Sequence, residues 1–127
     1  MVLALLLVLV VHGATFWPGI LTWDAIRQYG QALNGRYDDW HPPAMNWLWR
    51  QLRAFGTGPA PMLLLQLGLY WCGTLLWLRA AGRGRARAAL AIAVLALSPV
   101  ALVLMGTVLK DSLFAGALLL ASGLIAT

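Results

Sequence analysis

The chain has 127 residues, 61% of them hydrophobic and 10% charged, with a formal charge of +5 and a mean hydropathy of +0.78. A water-soluble domain carries roughly 25% charged residues, so this composition excludes an ordinary soluble enzyme and points to an all-α integral membrane protein. Nor is the basic excess a nucleic-acid signature, because Arg79, Arg83, Arg85 and Arg87 crowd a short turn that has no aromatic partners.

The first apolar block, Met1–Trp17, reads as a retained membrane helix. No Lys or Arg precedes Arg27, and Trp17-Pro18-Gly19 is a poor cleavage sequence, so the basic start and small-residue site of a secretory signal are both missing. Pro18-Gly19 stops this helix. Thr22 then caps a helix from Trp23 to Ala32 or Leu33, with Ile26, Tyr29 and Leu33 at helical spacing on one face and Arg27, Gln28 and Gln31 on the other. Asn34-Gly35 ends it, and Tyr37 to His41 form an irregular link.

Pro42-Pro43 opens a second helix, Pro43 being suited to a first helical position. Met45, Leu48, Trp49 and Leu52 lie along one side, while Asn46, Arg50, Gln51 and Arg53 face away. Such a tryptophan-bearing amphipathic helix suits the membrane interface. Trp17, Trp23, Trp40, Trp47 and Trp49 all fall in this region, as in an interfacial aromatic belt.

Three further apolar blocks follow, Pro59–Leu78, Ala88–Met105 and Ser112–Thr127. A span needs about 20 residues, so about four transmembrane helices are expected, with two short interfacial helices in the first outer loop. Cys72 lies within the second block and packs as a small hydrophobe. The positive-inside rule puts the arginine-rich link 79–87 in the cytoplasm. The long loop 18–58 and the short loop 106–111 then lie outside. The chain starts and stops abruptly in apolar sequence, so it is expected to be the N-terminal part of a longer polytopic domain.

The chemistry-bearing residues collect in those two outer loops. Asp24 stands at the head of its helix, where a carboxylate stabilises the first turn; it serves either that local role or catalysis. Asp38 and Asp39 sit in a turn, where one of the two bonds local backbone. His41, held extended by the prolines after it, projects from a rigid stem. Without a second nearby histidine it reads as a hydrogen-bonding group, and no metal ligand set is expected. In the short loop, Asp111 either caps the last helix or faces Asp24 with Lys110 across the outer ends of the bundle.

In this order the motifs resemble the N-terminal part of a C-type glycosyltransferase. These are the polytopic enzymes that use polyprenyl-phosphate sugars, including protein O-mannosyltransferases and aminoarabinose transferases. The resemblance is carried by Trp23-Asp24 after a span and by Tyr29-Gly30-Gln31-Ala32-Leu33-Asn34-Gly35. It continues in Asp39-Trp40-His41-Pro42-Pro43 ahead of an interfacial helix, and in the acid Asp111 between the third and fourth spans.

It implies that Asp24 is the general base that deprotonates an acceptor hydroxyl, with inversion at the anomeric carbon. Asp111 would help to arrange acceptor and donor, and His41, Lys110, Asp39, Trp40 and Tyr29 would bind phosphate or sugar. The implied partners are membrane lipid, a polyprenyl-phosphate-linked sugar and a glycan, lipid or protein acceptor. The implied location is a bacterial inner or plasma membrane, multi-pass, with the active face outside. No cofactor is certain, and a divalent metal is compatible. Asp24 is followed by Ala25, where many protein mannosyltransferases carry an Asp-Glu pair, so the acceptor is left open.

The alternative is a non-enzymatic small membrane protein, a transporter or flippase half or an assembly subunit. It would place ionisable groups or broken helices inside its spans. In this sequence only Ser98-Pro99 interrupts one.

Overall fold

A computed structural model describes residues 1–40, 43–82 and 84–127. Among these residues the chain forms seven α-helices and two two-residue strands. The helices are α1 (Val2–Phe16), α2 (Trp23–Asn34), α3 (Ala44–Leu52), α4 (Ala60–Ala80), α5 (Arg85–Ala96), α6 (Pro99–Gly106) and α7 (Lys110–Ala126); the strands are β1 (Ile20–Leu21) and β2 (Thr107–Val108), and a 3-10 turn covers Arg53–Phe55. The helical class read from composition is therefore observed.

The tightest packing is between α4 and α7, and glycine makes it possible. A Cβ on Gly73 would lie 2.6 Å from the Leu120 backbone nitrogen, and one on Gly123 would lie 2.9 Å from Leu76 Cβ. Gly116 faces Leu69 and the Tyr70 backbone in the same way. Small residues let two helix backbones approach where apolar surroundings give no hydrophobic drive to pair. Trp77 Nε1–H donates to Ser122 Oγ (3.0 Å) across the same seam.

α1 packs on α4, α5 and α6 through Leu5, His12 and Gly13, and its Phe16 ring occupies the place where Gly106 would otherwise carry a Cβ. His12 is 3% exposed, with its ring edge-on to Phe16 and Trp71. Its Nε2 lies 3.1 Å from the Ala96 carbonyl, at the last residue of α5.

The expected third span is interrupted at this point. α5 and α6 are together apolar enough to cross a membrane but meet at 68° across Leu97-Ser98. Pro99 has no N–H for the i→i−4 ladder, so the chain leaves α5 and re-enters helix as α6 with proline in its first turn. The histidine then supplies a donor to a carbonyl at the break. Among the described residues α4 is the one helix long and apolar enough to cross by itself, and α1, also apolar, is shorter.

The C-terminus of α6 is satisfied by side chains from elsewhere in the chain. Thr107 Oγ1 donates to the Val103 carbonyl (2.8 Å), Ser112 Oγ to Leu104 (2.6 Å), and Gln66 Nε2 to Met105 and Thr107 (2.9 Å each). Carbonyls at a helix end that water does not reach need such partners. Ser112, in the first turn of α7, is a buried donor to the preceding helix.

β1 and β2 pair in parallel, Ile20 with Thr107 and Leu21 with Val108. Gly19, at φ 118°, makes the approach possible, since a Cβ there would lie 3.0 Å from Val108 Cγ2 and 3.3 Å from Pro59 Cβ. The pairing joins the two loops that follow α1 and α6. It gathers the heads of α2, α4 and α7 at one end of the bundle, opposite Arg79 at the other end of α4.

The core is apolar, built on residues such as Met62, Leu63, Leu67, Trp71 and Ile92, but polar side chains are buried as well. Gln28, Gln31, Asn46, Gln66, Thr74, Thr107, Ser112 and His12 are buried, while Leu3, Val10, Trp23, Val100, Phe114 and Ile125 are exposed. The faces of the two outer helices are accordingly not those expected from an apolar-inside rule. α2 buries Ala25, Gln28, Gln31 and Ala32 and turns Ile26 and Leu33 outward; α3 buries Asn46 beside Met45 and Trp49. Ala25 and Ala32 are small enough for close packing, and Asn46 Nδ2–H donates to Gln31 Oε1 between the helices. Cys72, expected inside, lies on the exposed side of α4.

Candidate functional site: an apolar groove with a charged end

The parallel pairing relates the two outer loops residue for residue. The pairing ends at Leu21 and Val108, and α2 and α7 begin two residues further on, at Trp23 and Lys110. Each aspartate is the second residue of its helix, and each is exposed. The sequence read Asp24 and Asp111 separately; each stands three residues beyond the paired strand that leads into its helix. Both helices present their positive ends there.

The local reasons for the two heads differ. Thr22 is an extended N-cap whose Oγ1 accepts from Ala25 N–H (3.3 Å), as its residue type predicts. On α7 the N-cap position falls to Leu109, which has no capping side chain, and Asp111 lies inside the first turn. The expectation that Asp111 caps the helix is therefore corrected: β2 runs straight into α7, and the helix begins one residue before the acid.

Below Lys110 and Asp111 an open groove of about 470 Å³ runs between α3, α4 and α7. Its walls are apolar, with Met45, Leu48, Leu69 and Phe114 prominent, and the two charged residues stand at one end. It suits an amphiphile with an apolar tail and a polar head.

Of the other expected site residues, Tyr29 is tied into the fold. Its hydroxyl accepts from Gly58 N–H (2.7 Å), and its ring lies 5.0 Å from that of Trp49, whose Nε1–H donates to the Gly58 carbonyl (3.1 Å). Trp40 is exposed beside the Arg27 guanidinium, 6.0 Å from its ring centroid, and Asp39 is exposed next to it. His41 lies outside the described residues, as does Pro42 of the same motif. Among the described residues no three His, Cys, Asp or Glu side chains gather as metal ligands.

Asp38 is the structural member of its pair. It accepts from Arg27 Nε (3.2 Å) and Nη2 (2.5 Å), and from Trp40 N–H (3.2 Å). The Arg27 hydrogen bonds, followed by one from Gln31, hold its carboxyl below the ordinary carboxylate range. A depressed folded pKa means that the pairing contributes above the unfolded value and is lost as pH falls through the lowered one. Hydrogen-exchange protection over residues 35–40, taken relative to the intrinsic rate at each pH, is therefore expected to stay constant from neutral pH down to about pH 4 and to fall below it. Asp38→Asn is expected to give the reduced protection at neutral pH as well.

Sequence reasoning missed Gln66 and His12, which hold α6 and the α5–α6 break. Both sit in apolar stretches, and a lone polar residue in such a stretch was the available signal. Comparison with protein-family models, curated proteins and solved structures finds no match to this chain.

Proposed function

We propose that the chain is a membrane glycosyltransferase, or the N-terminal piece of one, that transfers a sugar from a polyprenyl-phosphate donor to an acceptor hydroxyl at the outer membrane face. The observation that carries the reading is the pairing of β1 with β2. It joins the loops that lead to Asp24 and Asp111, and Asp111 with Lys110 lines a groove with apolar walls.

The apolar outer surface and amide-rich interior support a lipid surround, because a membrane rewards that distribution and water penalises it. On this reading α1, α4, the bent α5–α6 pair and α7 are the four spans. α2 and α3 lie at the outer interface, and Arg79, Arg85 and Arg87 face the cytoplasm.

In the proposed reaction Asp24 accepts the proton of the acceptor O–H. The oxygen attacks the anomeric carbon from the face opposite the phosphate, forming the new glycosidic bond. The bond from that carbon to the phosphate oxygen breaks, and polyprenyl phosphate leaves with the electron pair. Lys110 and the head of α7 meet the phosphate charge, the groove takes the adjoining part of the polyprenyl chain, and Asp111 orients the reacting groups. The acceptor and the sugar are left open by these residues.

The test is transfer from a radiolabelled polyprenyl-phosphate sugar in membranes containing the native gene product. Lys110→Ala is expected to raise the KM for the donor by about tenfold, the size of a lost charge-assisted hydrogen bond, and to change kcat less. An unchanged KM removes Lys110 from the donor site.

The break between α5 and α6, with His12 at its edge, favours a second reading as part of a transporter, where discontinuous helices form the site. Substrate flux across vesicles that His12→Leu abolishes, without any sugar transfer, is the result that selects it.

A further inference from the structure

A second groove, of about 400 Å³, lies on a different side of the bundle, between the outer end of α1, the turn Arg53–Phe55 and the head of α4. Trp17, Leu52, Phe55, Ala60 and Leu64 form its walls, and Thr57 adds a hydroxyl. Trp17 and Phe55 are 60% and 85% exposed, so its edge is a pair of aromatic rings at the level where α1 ends and α4 begins. Aromatic rings favour the headgroup region of a bilayer.

The chain segment that builds most of it carries charge of one sign. The four acids of the chain are Asp24, Asp38, Asp39 and Asp111, so the segment 43–80 has none, while it carries Arg50, Arg53 and Arg79. Arg79 is at the far end of α4. The Arg50 guanidinium lies against Gly35 at the C-terminal end of α2, where helix carbonyls gather. Arg53 remains, exposed, in the turn whose neighbours Leu52, Phe55 and Gly56 line the groove. Among the described residues no carboxylate pairs with it.

We propose that this groove holds one acyl chain of an acidic phospholipid, with the lipid phosphate on Arg53. An acyl chain matches the apolar walls, and an anionic headgroup matches a lone arginine with no acid beside it. The lipid would fill the space between the end of α1 and the outer cap, and so fix α2 and α3 against the membrane. The proposal rests on the membrane placement given above and is independent of sugar transfer.

Native mass spectrometry of the whole chain in mild detergent tests it, with dioleoyl phosphatidylglycerol and dioleoyl phosphatidylcholine as probes. One phosphatidylglycerol is expected to bind about fivefold more tightly than phosphatidylcholine, the contribution of one surface arginine to an anionic lipid. Arg53→Gln is expected to abolish that preference and Arg53→Lys to keep it. Leu64→Trp, which fills the groove from an exposed position, is expected to remove the tight site for both lipids.

Equal affinity for the two lipids in the native chain, or a preference that survives Arg53→Gln, overturns the assignment. So does a dimer that Leu64→Trp dissociates while lipid binding stays unchanged, because the groove is then an interface between copies. Because the readout is lipid binding, loss of the transferase reading leaves this result standing, and the converse also holds.

Discussion

Asp24→Asn is expected to lower sugar transfer by about 10²- to 10⁴-fold, the usual contribution of a positioned general base, while the chain still inserts and folds. The fold should tolerate it because the α2 cap is Thr22, whose Oγ1 accepts from Ala25 N–H, and Asp24 itself is exposed. Asparagine keeps the shape and removes the charge. The accompanying loss at the helix head is on the order of 0.3–1 kcal/mol, too small to unfold a helix whose buried face is untouched.

Asp111→Asn provides the comparison, since Asp111 is likewise the second residue of its helix. If Asp24 is the base and Asp111 an orienting group, the first variant loses kcat with little change in donor KM. The second raises KM and loses less of kcat. Wild-type transfer by Asp24→Asn sinks the base assignment.

Gly73→Leu is expected to separate α4 from α7 and to leave no monodisperse protein in detergent. Even a methyl group there lies 2.6–2.9 Å from the Leu120 and Leu119 backbone, which belongs to a helix and cannot turn aside as a side chain can. Overpacking of this kind costs about 1–3 kcal/mol, and a full leucine adds to it. Gly73→Ala should therefore lower the unfolding midpoint measurably, and Gly73→Leu should abolish the transition. Gly68→Ala, on the same helix but with open space around its Cβ, should be neutral or raise the midpoint through helix propensity. Equal midpoints for Gly73→Ala and Gly68→Ala would mean that the two helices do not meet through glycine.

Local signals were the most legible part of this chain. Thr22 as a cap and Asn34-Gly35 as a stop, with Gly35 at φ 72°, describe α2 to within a residue because each acts on the backbone beside it. The inner face of α2 was not legible. Spacing marked Ile26 and Leu33 as a packing face, but the helix turns them out and buries Gln28 and Gln31, Gln31 accepting from Asn46 of α3. Apolar-inside patterning reads only which residues are oily; here the small Ala25 and Ala32 and the Gln31–Asn46 amide pair sit on the face that packs.

The sequence by itself determined the helical class, the Thr22 cap and Gly35 stop of α2, and the gathering of aspartates in two loop-and-helix-head segments. Those features depend on composition and on neighbours a few positions away. The tertiary structure alone decided that Gln66 and Ser112 close the end of α6, that His12 meets the break after Ala96, and that the loops leading to Asp24 and Asp111 pair through β1 and β2. Each of these joins residues that only chain closure brings together, most clearly Ile20 and Leu21 with Thr107 and Val108. A two-residue parallel pairing leaves no periodicity to read, because what stabilises it is the space at Gly19 and the helices packed around it.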